Sequence, residues 1–349
     1  MNVHMEVTGM TSGRRPAAPT MADVAAAAGV SHQTVSRVLN GHPSVSAATR
    51  QRVQAEIEHL GYRRNLAARA LVTRSSLIVG VVVSNLYLSG PAGALLGLER
   101  AARQRGYWVS VAGLREHSSA EAGRAISHFI DQGVDGVVAI AQTDESLRGA
   151  VEAAGDCPLL LITSGDAPAG NLVVDLDQRG GARQAMTLLL GLGHRRIAHV
   201  AGPPNDLHAR ARLTEWRACL ERAGLPPGPL VQGDWSSQSG YQAALELLVG
   251  PDLPTAVFAG NDHMAIGLLR GFHDAGVAVP GRVSVVGFDD IDTSDCAIPP
   301  LTTIRQDHDA LGRAGLGLLI DLIEGRQPAS ALVPAELVVR ASAAGPADL

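Results

Sequence analysis

Polar side chains with strong hydrogen-bonding capacity are concentrated near the start of the chain, in the segment HQTVSRVLN at residues 32–40. Gln33 can pair with the edge of adenine and Arg37 with the edge of guanine, for roughly 1–3 kcal/mol of discrimination each. His32 is a further candidate for contact with a base edge. Hydroxyl and amide groups close by suit contacts to phosphate or sugar, which position a protein without specifying the bases: Thr34, Ser36, Asn40 and Thr49.

Three short helices are predicted to hold these side chains. Good N-cap residues precede each of them, at Thr20, Ser31 and Ser46. The helices are predicted over residues 21–28, 32–39 and 47–60, and Gly29 supplies the tight turn between the first two. In the second helix the apolar side is formed by Val35, Val38 and Leu39, so its polar residues face outward. Two helices joined by a turn with a third as support form the helix-turn-helix plan.

The charge distribution decides between a DNA-binding surface and an ordinary solvated helical bundle. Every basic residue of the chain is arginine, and residues 14–74 contain nine arginines against three carboxylates, a net charge of +6. The whole chain has a formal charge of −5, so the remainder carries −11. A basic segment on an acidic body is expected when only that segment meets phosphate.

From residue 77 onward, short apolar runs alternate with helical segments. Strands are predicted over residues 77–83, 107–113, 136–140, 159–163, 197–202, 256–260 and 283–288. Helices are predicted between them, among others over 91–105, 121–132, 180–192 and 213–223. Uniformly apolar strands separated by amphipathic helices indicate parallel sheets covered on both faces. Their number predicts two doubly wound lobes, with a ligand in the cleft beyond the strand ends.

Several classes of protein lack support in the sequence. No GxSxG, GxxxxGK[ST] or HExxH motif occurs, so we predict no enzyme, no cofactor and no metal site. Asp289 and Asp290 are adjacent, and side chains at adjacent positions of a strand end point apart, which argues against a paired acid–base role. The three cysteines are widely spaced, and no run of about 18 apolar residues or export signal is visible, so we expect neither disulfides nor a membrane span.

The segment MADVAAAAGVSHQTVSRVLNGHPSVSAATRQRVQAEIEHLGYRRNLAARAL closely resembles the DNA-binding head of the LacI/GalR family. The resemblance covers about fifty residues with their turns and caps. It implies a hinge helix over residues 65–71 that contacts DNA through Asn65, Ala68 and Leu71. Leu71 would be the apolar wedge that opens a base step in the minor groove of the operator. Alternatively, Leu71 is a linker residue that contacts the body.

The resemblance extends over the body through the segments LHARARLTEWRACL, GDWSSQSGYQ, GNDHMAIGLLRG and VGFDDIDTSDCAIPPLTTIRQD. It implies a two-lobed body like a type I periplasmic binding protein, with chain crossings near residues 176, 305 and 335. The effector positions it implies are Ser84, Leu88, Pro91, Thr163, Asp177, His208, Arg212, Trp235, Asn261, Asp289 and Gln306. Asp175 is an alternative to Asp177.

Three cleft positions, one of them outside this set, differ from those of one sugar-binding member of the family. Thr163 takes the place of an aspartate, His208 of a serine and Ile140 of an asparagine. Structural roles also stay open for the others: Arg212 could pair with Asp289, Trp235 could simply pack at a strand edge, and Asn261 could cap the helix predicted to begin at residue 263.

The resulting prediction is a transcriptional repressor that releases near-palindromic operator DNA when a sugar, for example a galactoside, binds the body. A purine corepressor is the alternative within the family, and a sugar-binding protein of a transporter is the alternative of another class. The DNA-binding head and the missing export signal disfavour the transporter protein.

The predicted domains are an N-terminal extension (1–18), the head (19–63), hinge and linker (64–75), the effector-binding and dimerisation body (76–344) and a tail (345–349). Because the chain ends soon after ELVVRAS without a leucine-rich tetramerising helix, a homodimer is expected. The expected location is the cytoplasm, in association with the nucleoid.

Overall fold

The computed structural model describes residues 19–63, 75–115, 118–165, 170–250 and 252–346, and divides into two units at Arg74 and Ser75. The first unit is the helical head. It consists of α1 (Met21–Ala28), α2 (His32–Leu39) and α3 (Ala47–Leu60) around a core that includes Val24, Val35 and Val53. All three predicted helices are confirmed with these bounds.

Local hydrogen bonds define where the helices of the head begin and end. Thr20 and Asp23 form a reciprocal capping box, in which the Asp23 carboxylate accepts from the Thr20 amide at 2.7 Å. Ser31 and Ser46 accept from the amides of Thr34 and Thr49. Gly29 has φ of 62°, a left-handed conformation in which a residue with a Cβ would be strained.

The second unit is an α/β body with two parallel sheets. The first lobe contains β1 (Ile78–Ser84), α4 (Ser89–Gln104), β2 (Trp108–Leu114), α5 (Ser119–Asp131), β3 (Gly136–Ile140), α6 (Asp144–Ala154), β4 (Leu159–Ile162), β5 (Leu172–Leu176), α11 (His308–Ile323) and β11 (Ala331–Val333). Its strand order is β11-β5-β4-β3-β1-β2. The order reverses between β1 and β3, where a doubly wound sheet places its ligand crevice.

The second lobe contains α7 (Gln178–Gly191), β6 (Ile197–Ala201), α8 (Leu207–Arg222), β7 (Leu230–Gln232), α9 (Ser237–Val249), β8 (Ala256–Ala259), α10 (Asp262–Asp274) and β9 (Ser284–Val286). Its strand order is β7-β6-β8-β9. Strands β10 (Thr303–Gln306) and β12 (Ala335–Val338) form an antiparallel pair. The chain passes between the lobes after Leu176, Gln306 and Val333.

Some predicted bounds in the body were wrong. Helix α8 begins at Leu207, six residues before the predicted start, because the Asp206 side chain accepts the Ala209 amide and caps it there. Helix α10 begins at Asp262 instead of residue 263, directly after the Asn261 cap. Strand β2 is an edge strand that leaves Trp108 and Val111 exposed, so it is not covered on both sides. Among the described residues, no helix is long and apolar enough to cross a membrane.

Candidate functional site

The proposed recognition residues share one surface of α2. His32, Gln33 and Arg37 are exposed, while Val35 and Val38 on the opposite side are buried in the head. These three exposed side chains can therefore enter the major groove of DNA, which is wide enough to admit a helix.

The predicted phosphate-contacting residues take part in the helix caps and turns. The hydroxyl groups of Thr34 and Thr49 lie 2.9 Å from those of Ser31 and Ser46. The Asn40 amide donates to Ser36 at 3.5 Å. The side chains of Thr34 and Thr49 therefore lie close to the N-termini of α2 and α3, where amide dipoles favour an anion, whereas Asn40 is the C-cap residue of α2. The predicted hinge residues Asn65, Ala68 and Leu71 lie outside the described residues.

In the body, most of the predicted effector residues meet in one cavity of about 30 Å³ between the two lobes. The predicted residues that line it are Leu88, Pro91, His208, Arg212, Trp235, Asn261 and Asp289. Each follows the carboxyl end of a strand of its parallel sheet or stands early in the next helix. Sequence reasoning missed Ser89, Gln142 and Asp206, which also line the cavity. Their position at strand ends and helix starts was the available signal.

The other four predicted residues do not line the cavity, although two of them contact residues that do. Ser84 donates to Gln142 at 3.1 Å, and Gln306 donates to Asp289 at 3.3 Å. Thr163 is fully buried, and its hydroxyl has no hydrogen-bond partner among the described residues. Asp177 caps α7 through the Gly180 amide at 2.7 Å. Its alternative, Asp175, accepts from the Ser164 hydroxyl, and burial raises the pKa of Asp175 to about 7.

Arg212 is the central charged group of the cavity and is only 4% exposed. It stands in the second turn of α8, donates to Gln178 at 2.9 Å and to the carbonyl of Gly260, and lies 3.5 Å from the Asp289 carboxylate. Its guanidinium also stacks 3.7 Å from the centre of the Phe288 ring. Burial lowers the pKa of Arg212, and the Asp289 charge opposes this effect. The ion pair between Arg212 and Asp289 that was considered from the sequence is therefore present.

Trp235 and Asn261 hold each other in place at the wall of the cavity. The Asn261 side chain accepts the Met264 amide at the start of α10 and donates to the Trp235 carbonyl at 3.0 Å. Trp235 has φ of 75°, and its ring fills the space above Gly202, where a Cβ would lie 2.2 Å from a ring atom. Asn261 thus caps the helix as considered, and it also fixes an aromatic wall for a ring-shaped ligand.

The electrostatics of the cavity favour an uncharged ligand. Asp289 accepts from the Ser89 hydroxyl at 2.7 Å as well as from Gln306. Burial lowers the pKa of His208, which leaves this histidine neutral at pH 7. Arg212 then faces the carboxylates of Asp206 and Asp289, so the cavity has no unbalanced positive charge for an anion.

The neighbouring Asp290 carboxylate turns to different partners. It pairs with Arg305 and Arg340, each at 2.7 Å. Asp289 and Asp290 therefore point apart, as predicted. No cluster of three or more candidate metal ligands occurs in the part of the chain that the structure describes.

Comparisons with known proteins agree with this architecture. Residues 20–65 match the family model of bacterial regulatory proteins of the lacI family, and residues 186–343 match a periplasmic binding protein-like domain. The lactose operon repressor of Escherichia coli (strain K12) is 38% identical over 94% of this chain and 91% of its own length. The HTH-type transcriptional regulator CelR of Thermobifida fusca is 38% identical over 93% of this chain and 98% of its own.

Solved structures give the same result. A lac repressor dimer bound to operator and the anti-inducer ONPF superposes with a TM-score of 0.87 at 35% identity, covering 93% of this chain and 99% of that one. A CelR–cellobiose complex gives a TM-score of 0.69 at 36% identity, covering 93% and 99%.

A helix-turn-helix head joined to a two-lobed body with a cleft between its lobes defines a ligand-responsive DNA-binding protein. The chain belongs to the LacI family of bacterial transcriptional regulators. The predicted fold and the predicted role as a DNA-binding regulator, in place of an enzyme, are thereby confirmed.

Proposed function

We propose that this protein is a repressor whose operator binding is relieved when a neutral sugar occupies the cleft between its lobes. The observation that carries the proposal is the arrangement of Arg212, Asp289 and Asn261 around the wall formed by Trp235. An aromatic face suits the apolar side of a sugar ring, and the paired polar groups suit its hydroxyls. Relatives named for lactose, cellobiose and ribose support the same ligand class.

A ligand in this cleft would touch both lobes at once. Leu88 and Pro91 belong to the first lobe, whereas His208 and Arg212 belong to the second. An effector changes the population of lobe arrangements only if it binds one of them more tightly than the other. We propose that the effector-bound arrangement separates the hinge segments of two chains and so weakens operator binding.

The head would act as one half of a pair on a near-palindromic operator. His32, Gln33 and Arg37 would contact base edges, and Thr34, Ser36, Asn40 and Thr49 would contact the phosphate backbone. Residues 64–75 would serve as hinge and linker, with Leu71 as the wedge beside Asn65 and Ala68. The homodimer would act on chromosomal DNA in the bacterial cytoplasm, in association with the nucleoid.

Fluorescence anisotropy with DNA from upstream of the protein's own gene tests the proposal. Labelled DNA is titrated with the full chain alone and with each of a panel of sugars and purines. We expect at least one neutral sugar to weaken DNA binding by tenfold or more. A purine that strengthens DNA binding would replace the sugar proposal with corepression. Equal DNA affinity with every compound would contradict both.

A further inference from the structure

A second and larger cavity opens directly outside the cleft. It has a volume of about 560 Å³ and shares Asp206 and Trp235 with the inner cavity. Its other walls include Tyr87, Asp144, Arg148 and Arg210. We call this space the outer groove.

The outer groove is much larger than the inner cavity, and this difference bears on the length of the ligand. The inner cavity of about 30 Å³ has room for little more than a water molecule, so the lobes must move apart before a sugar unit can enter it. The outer groove falls in the range of volumes that hold small-molecule ligands. A ligand confined to the inner cavity would leave the outer groove empty, whereas a chain of linked units could occupy both.

The chemistry of the outer groove fits a carbohydrate. Tyr87 lines the outer groove and is 80% exposed, although tyrosine side chains are usually at least partly buried. Tyr87 lines the outer groove but not the inner cavity, and the largely buried Trp235 lines both. Carboxylates outnumber arginines four to two among the lining side chains, which disfavours an anionic ligand: Asp144, Glu145, Asp206 and Asp234 against Arg148 and Arg210.

The outer groove also bridges the two lobes. Tyr87 and Asp144 follow β1 and β3 of the first lobe, and Arg210 and Trp235 belong to the second. Arg210 and Asp144 join across it by two hydrogen bonds of 2.7 and 3.0 Å. Nearby, the Leu207 amide donates to the Gln142 carbonyl at 2.9 Å, a second direct link between the lobes. A ligand in the outer groove therefore contacts the elements that set the lobe arrangement.

We infer that the outer groove is a further sugar subsite, so that the effector is a neutral oligosaccharide with one end in the cleft and its next unit against Tyr87. This inference rests on the proposed sugar-responsive function. It assigns to Tyr87 a role in selecting the length of the glycan, while Arg212 and Trp235 hold the terminal unit.

The test begins with an immobilised glycan array of mono- to hexasaccharides probed with the labelled full chain. The best glycan and its shorter homologues, down to the monosaccharide, are then titrated by calorimetry against the wild type, Tyr87→Ala and Tyr87→Phe. Val249→Ala is the matched control, because Val249 is 86% exposed at the end of α9 and does not line the groove.

We expect the wild type to bind the oligosaccharide at least tenfold more tightly than the monosaccharide. Tyr87→Ala should lose most of that gain, roughly tenfold in Kd, and should change monosaccharide affinity by less than twofold. Tyr87→Phe should keep the gain, since it retains the ring. Equal affinity at every length, or an equal loss for short and long glycans in Tyr87→Ala, would overturn the outer subsite alone. Binding of no glycan at any length would overturn the sugar proposal together with it.

Discussion

The guanidinium of Arg212 shows how one residue can serve both the fold and a ligand. Its contacts with Gln178, Gly260 and Asp289 come from three separate segments and hold its planar group still. A lysine would keep the positive charge but would lose the planar array of donors and the stacking on Phe288.

We therefore predict that Arg212→Lys weakens effector binding by at least tenfold, because the directed donors facing the ligand are lost. The measurement is calorimetric titration with the sugar that releases the operator. Arg217→Lys is the control, since Arg217 is exposed on the same helix and does not line the cleft. The same loss in both variants would argue against a direct role for Arg212.

Arg37 belongs to the exposed surface of α2, and its substitution tests base recognition. Arg37→Ala should cost about 1–3 kcal/mol at one base pair of the operator and relax the preference there. Binding to operators with each base pair replaced in turn measures this effect. Arg52→Ala on α3 removes the same charge from an exposed position and serves as the control. A uniform loss across all DNA sequences for Arg37→Ala would indicate a phosphate contact.

His199 predicts a dependence of stability on pH. It stacks with the rings of Trp216 and Phe258, and burial lowers its pKa from 6.5 to about 4. Below pH 6.5 the unfolded chain binds a proton that the folded chain excludes, so stability falls as the pH falls from 6.5 towards 4.

The variant His199→Phe removes this proton. Its free energy of unfolding relative to the wild type should rise by about 2 kcal/mol between pH 7 and pH 5, at about 1.4 kcal/mol per pH unit below 6.5. Urea denaturation at several pH values gives the comparison. His273→Phe, on the exposed side of α10, is the control for replacing an imidazole with a phenyl ring. A pH-independent difference for His199→Phe would contradict the prediction.

At the scale of elements, two glycines decide how closely α4 and α11 pack. A Cβ at Gly97 would lie 2.0 Å from the carbonyl oxygen of His308, and one at Gly312 would lie 2.1 Å from the backbone of Gly97. The helices therefore touch through their backbones, and neither position has room for a methyl group.

Gly312→Ala should destabilise the body by about 1–3 kcal/mol, because the two helices must move apart. Gly317→Ala lies on the same helix with nothing within 4 Å of the added Cβ. It should stabilise the body by about 0.5–1 kcal/mol through its higher helix propensity. The two free energies of unfolding, measured by urea denaturation, should thus change in opposite directions. If the free energy of unfolding changed by the same sign and size in both variants, helix propensity, and not packing between α4 and α11, would explain the effect of Gly312→Ala.

At the scale of the whole molecule, a pair of chains is required to occupy a near-palindromic operator. With a chain mass of 36.2 kDa, equilibrium sedimentation should give about 72 kDa at micromolar concentration. A mass close to four chains would contradict the dimer, and a mass of one chain would require assembly on DNA.

The sequence alone determined the head and the plan of the body. Helix caps such as Thr20 with Asp23 act within four residues, and the apolar run of β3 is buried whatever its neighbours are, so local patterns suffice for both. Seven of the cavity residues could be named in advance, because the body segments resemble those of the LacI/GalR family and so imply its cleft positions.

Only the tertiary structure decided how those residues meet. Ser89 reaches Asp289 across 200 positions of sequence, and Gln178 reaches Arg212 across 34. Such contacts depend on the packing of whole lobes, which no local pattern specifies. The same holds for Tyr87 at the outer groove, since one exposed aromatic side chain acquires a role only from the loops that fold around it. The shared exposed surface of His32, Gln33 and Arg37 was predictable, because one short helix suffices to align them. The cleft, in contrast, requires two lobes and three chain crossings.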